Sequence, residues 1–118
     1  MAPTTTEFVW LVLELLARVG EVRARPMFGG FGIYQRETIL AIVVDDTLYF
    51  KTDADTSRKF SKLGLGPFTY VARGKAVAMR YHEAPSDVFE SAEVMQSYAL
   101  EALEVARRVA RRKKKRVA

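Results

Sequence analysis

The chain of 118 residues is 49% hydrophobic and carries a formal net charge of +5, which suits one domain around one core and leaves too little length for two ordinary ones. It contains no cysteine, which excludes disulfides, thiolate nucleophiles and thiolate metal sites. No apolar run approaches the ~20 residues that span a bilayer, and Met1 to Thr6 lack the basic start and apolar stretch of a secretion signal, so a cytoplasmic location is expected.

The positive charge is unevenly placed. Eight of the 19 basic side chains fall between Arg107 and Arg116 with no acid among them, so the other 11 face 14 acids and the rest of the chain carries about −3. The sequence describes a mildly acidic body with a basic end, divided into a domain, residues 1–112, and a basic C-terminal tail, residues 113–118.

In chain order, Thr4-x-x-Glu7 has capping-box spacing and opens a first helix that Gly20 offers to stop. Phe8, Val12, Leu15, Leu16 and Val19 share one face, and Trp10, Leu13 and Ala17 carry the apolar surface well round the cylinder. A helix with so narrow a polar strip is covered on more than one side, either by core packing alone or by a contact through Trp10 and Leu13 with a partner or a second copy. Val22 to Arg25 reads as extended, and Pro26 keeps Arg25 out of the helical basin. Gly29, Gly30 and Gly32 lack the Gly-Lys-Ser/Thr and following helix of a phosphate loop, so a bulge or a close backbone approach is the better account.

The run from Met27 to Lys51 alternates turn residues with β-formers at hairpin spacing. Gln35-Arg36-Glu37 and Asp45-Asp46 are its turns, Thr38 to Val44 its central strand, and the product is a three-stranded antiparallel meander. Asp45, Asp46, Asp53 and Asp55 are the tempting carboxylates for a cation. Two of them are turn formers, however, and Asp53 or Asp55 is where the N-cap of a short helix over residues 54–63 falls, so no metal is expected. A second hairpin turns at Arg73-Gly74, with Phe68, Tyr70, Val77, Met79 and Tyr81 as its inward set. His82 is the sole histidine. It stands at a strand end near Pro85, which predicts a sheet-edge side chain rather than a catalytic group.

After Pro85 a helical turn leads to Ser91 as N-cap of a long helix running to about Arg112. Met95, Tyr98, Ala99, Ala102, Ala106, Val109 and Ala110 form its buried stripe. Arg107, Arg108, Arg111, Arg112 and Lys115 project from the other side, and Lys113 would fall within the stripe, so packing should stop near Ala110 and leave the end frayed or projecting. Arg107, Arg108, Arg111, Arg112, Lys113, Lys114, Lys115 and Arg116 are therefore the candidates for a polyanion. Nucleic acid, an anionic membrane or acidic protein, and a merely solubilising terminus matched to the helix dipole are the alternatives. No aromatics are interleaved for base stacking, and no second basic stripe is visible in the body.

Several blocks in order resemble the TfoX/Sxy N-terminal domain family, named for regulators of competence for natural transformation. They are Met27-Phe28-Gly29-Gly30-Phe31-Gly32, the strand Asp46 to Lys51, Gly66-Pro-Phe-Thr-Tyr70, Met79-Arg-Tyr81 running to Pro85, and the Ala-rich last helix with Ala106-Arg107-Arg108. The resemblance covers about residues 7–112. It implies an α+β two-layer sandwich, α-β-β-β-α-β-β-α, with a five-stranded antiparallel sheet similar to that of secretion-chaperone-like folds, which often dimerise. It also implies a regulatory or adaptor role without catalytic residues or cofactor, with a protein partner, nucleic acid or a second copy as candidate partners. The separate C-terminal domain of full-length competence regulators is not expected here. The rival is a small enzyme or ligand-binding domain whose site the sequence does not announce.

Overall fold

The computed structural model describes residues 6–27 and 29–117, and side chains as far as residue 115. The capping box expected at Thr4 thus lies outside the described residues. Helix α1 spans Thr6–Leu15 and passes through a 3-10 turn, Ala17–Val19, before Gly20 reverses the chain at φ 123°. Strands β1 (Val22–Met27), β2 (Gly30–Gln35), β3 (Thr38–Val44) and β4 (Thr47–Lys51) follow. Helix α2 (Ala54–Lys62), strands β5 (Pro67–Ala72) and β6 (Lys75–Glu83), a 3-10 turn at Ser86–Phe89 and helix α3 (Ala92–Val117) complete the order.

All strands pair antiparallel in one six-stranded sheet ordered β1-β2-β3-β4-β6-β5. The α+β sandwich expected from sequence is present, with six strands rather than five. The additional strand is β1, whose Val22 to Met27 pair with Gln35 to Gly30 throughout. The sequence reads as extended here without counting as a strand, and the Arg23, Arg25 and Pro26 it carries suit an edge strand, where one row of backbone groups stays unpaired.

The turns follow local chemistry. Asp45 and Asp46 both hold positive φ, as do Arg73 and Gly74, the pattern of two-residue hairpins whose twist matches the flanking strands. Asp53 is the N-cap of α2. Its Oδ1 accepts from the backbone N–H groups of Asp55 and Thr56, while Thr56 Oγ1 accepts from the Asp53 N–H in return.

Between Ile33 and Tyr34 the register slips past Leu40, because Ile33 faces Ala41 while Tyr34 faces Ile39. This bulge lets the consecutive residues Leu40 and Ala41 both be fully buried. The glycines of β2 serve close approach, as expected: a Cβ on Gly30 would stand 2.1 Å from the Val43 carbonyl oxygen.

The core lies between the sheet and the helices, with Ile33, Ala41, Val43, Leu48 and Phe50 meeting Val12, Leu16, Met95, Ala99 and Leu103. Leu103 and Val105 join the α3 stripe predicted from spacing, Tyr98 and Val109 are half-buried, and Ala110 is exposed. Tyr98 stacks on Phe50 at 5.9 Å and meets Phe60 edge-on at 5.7 Å, tying α3 to both sheet and α2.

The set expected to face inward on the second hairpin takes the opposite side. Phe68, Met79 and Tyr81 line a shallow hollow with Met27 and Ile42 on the face away from the helices, and Tyr70 pairs with Val77 farther along the hairpin. Alternation identified residues that share a face, but the helices cover the other one. Nor does His82 stand at a sheet edge. β5 pairs outside β6, so His82 lies in an interior strand, buried beneath Phe60 with its Nδ1 hydrogen-bonded to Thr52 Oγ1 at 3.0 Å.

Candidate functional site

Helix α3 crosses the central strands and outruns them. Its last fully covered residue is Ala106, while residues 110–115 are all exposed on an unbroken helix that continues to Val117. The continuity has a local cause, since residues 107–116 contain no glycine or proline and eight of the ten are Arg or Lys, both good helix formers. Cations at this end also oppose the negative pole of the helix dipole.

The eight candidate cations are not equivalent. Arg107 donates to Gln35 Oε1 at 3.2 Å, and the same Gln35 donates from Nε2 to the Val19 carbonyl at 2.8 Å, so one amide joins α3 to the turn after α1. Arg108 donates to Asp53 Oδ2 at 2.8 Å. Arg111 lies 3.5 Å from Glu104 on its own helix. Arg112, Lys113, Lys114 and Lys115 form no ion pair among the described residues, and the Arg116 side chain lies outside them.

Asp53 is the most perturbed acid. Burial pushes its carboxyl up, but hydrogen bonds from Thr56 and Arg108, and the Arg108 charge, outweigh burial and bring it to about 2. The carboxylate is a structural anchor whose oxygens are already taken.

Two open clefts flank the end of α3. One is lined by Thr38, Ile39 and Lys51 of the sheet with Arg107, Val109 and Lys113 of the helix, and the other by Asp53, Ala54 and Arg80 with Val109, Arg112 and Lys113. Lys51 and Arg80 are basic side chains of the body that sequence reading passed over. Each is one charge in an alternating strand, and the pairing of β4 with β6, across an intervening helix and strand, is what brings them to α3.

No group of three or more His, Asp or Glu among the described residues is placed to hold a metal ion. Burial lowers the His82 pKa, and burial together with Tyr34 pushes Tyr81 up to about 12, so the imidazole is held neutral and the phenol protonated near pH 7. No described helix is long and apolar enough to cross a membrane.

The two residues expected at a partner contact differ. Trp10 is 63% exposed on α1 and has the exposed Leu11 beside it, whereas Leu13 is half-buried against the core.

The fold is an antiparallel sheet backed by helices, with an α3 that outruns it. The model of the TfoX N-terminal domain matches residues 14–106, and the chain belongs to that family. Among individual relatives, it is similar to the DNA transformation protein TfoX1 of Aliivibrio fischeri, 26% identical over 77 residues, a match that spans 65% of this chain and 36% of that protein.

Proposed function

We propose that this chain is a non-enzymatic regulatory domain that works by contact, holding a nucleic-acid backbone against the exposed end of α3 and a protein partner or second copy through Trp10. The observation that carries the first half is the run Arg112 to Lys115, cationic, exposed and without ion pairs among the described residues, on a helix that projects past the sheet. A relative named for DNA transformation supports the choice of nucleic acid over other polyanions. With Arg108 and Arg111 engaged by acids and Arg107 hydrogen-bonded to Gln35, fewer cations are free than the sequence total suggests. Five cations, Arg112 to Arg116, give a log K against log salt slope of roughly −4 to −5 on duplex DNA, whereas all eight give about −7.

The test is a salt series of duplex binding by the intact chain and by a chain ending at Ala110. The expected result is salt-sensitive binding that the shorter chain loses. Equal binding by both chains excludes this end of α3 as the contact.

A further inference from the structure

Lys113 follows Val109 by one helical turn, and the two residues line both clefts that flank α3. Three elements thereby bring cations to one end of the sheet: β4 through Lys51, β6 through Arg80, and α3 through Arg112 and Lys113. The acids lining the same clefts are committed elsewhere. Asp53 holds Arg108, and Glu37 holds Arg23 at 3.1 Å with Arg25 at 3.8 Å. Among the described residues, Lys51, Arg80, Arg112 and Lys113 form no ion pair.

Lys51 is half-buried, which disfavours its charge, and Lys113 adds repulsion, so its ammonium loses a proton more readily than usual. Like charges converging at the margin of a core weaken the fold, and an anion lodged among them turns the same arrangement into an attraction.

The geometry points to a phosphate seat: the two clefts beside Lys113, one with Lys51 and the other with Arg80 and Arg112, receive phosphodiester groups of a nucleic-acid duplex that lies along α3. This rests on the polyanion contact proposed above and carries it from the helix onto the body of the domain. The strands that carry these cations are fixed at the backbone, since Lys51 pairs with Tyr81 in the sheet and the Arg80 carbonyl accepts from the Thr52 N–H at 2.9 Å. Two guanidinium groups suit the planar, two-oxygen grip on a phosphate, and two ammonium groups add point charge.

The experiment compares the intact chain with Lys51→Gln/Arg80→Gln, measuring anisotropy of a labelled duplex across a salt series together with thermal melting. The double variant is expected to melt no lower than the parent, because repulsion has been removed. It is also expected to bind about tenfold or more weakly at 0.1 M salt, with a slope shallower by roughly 2. Unchanged affinity and slope in the double variant overturn the seat and leave the α3 contact standing. Failure of the intact chain to bind duplex at low salt overturns both. Loss confined to phosphatidylserine-containing vesicles, with duplex binding intact, overturns the assignment to nucleic acid.

Discussion

Arg108 on α3 reaches across to Oδ2 of Asp53, 2.8 Å away, and Oδ1 of the same carboxylate caps α2. One side chain therefore sets both the start of a short helix and the position of a long one. Asp53→Ala removes the cap and leaves Arg108 without its acid, and is expected to cost about 2 kcal/mol in urea unfolding. Arg108→Gln should cost about 1 kcal/mol, since the guanidinium is partly exposed and water replaces much of the lost contact. Because the folded carboxyl titrates near 2 rather than 3.8, its contribution is full at neutral pH and is lost as pH falls through that interval. The stability gap between parent and Asp53→Asn should close over the same interval.

His82 predicts a second pH dependence. Burial holds its pKa below the ordinary 6.5, so between the unfolded and folded values the unfolded chain binds a proton that the folded chain refuses. Stability should fall as pH drops below 6.5 and level off once the folded imidazole also protonates. In His82→Gln that portion of the slope should vanish, as read by unfolding free energy from pH 7.5 to 5.

Two glycines separate steric from conformational need. A Cβ on Gly30 meets the Val43 carbonyl, which backbone pairing prevents from retreating, so Gly30→Ala should destabilise by about 3 kcal/mol. Gly74 has open space around it but a φ of +78°, so Gly74→Ala should cost only about 1 kcal/mol, the strain of a left-handed turn. Equal midpoints for the two variants in denaturant would contradict this account.

Trp10 tests the protein-contact half of the proposal. If its exposed indole is a contact between copies, light scattering of the parent should show a dimer at high concentration and Trp10→Ala a monomer. A monomeric parent removes self-association through this residue. Leu13→Ala is expected to lower stability through the core whatever the oligomeric state, because Leu13 packs there.

Features set by short stretches were legible in the sequence. Asp53 caps because a carboxylate suits an N-cap, and Asp45-Asp46 turns because aspartate tolerates positive φ. What eluded reading depended on pairing at a distance. Nothing near His82 announces that β5 will add outside β6 and make its strand interior. Periodicity put Phe68, Met79 and Tyr81 on a common side without revealing which side the helices take. Within the candidate site, the helix cations were visible as a run, while Lys51 and Arg80 became neighbours of Lys113 only through β4–β6 pairing and the path of α3.

Because α3 stays helical past the sheet, its charges are carried on a rod rather than a tether, and their direction is set by phase as well as by number. One alanine inserted after Ala110 would swing every later side chain by about 100° about the axis while leaving composition and net charge untouched. A flexible polycation would be indifferent to that insertion; a helix that aims its lysines would not.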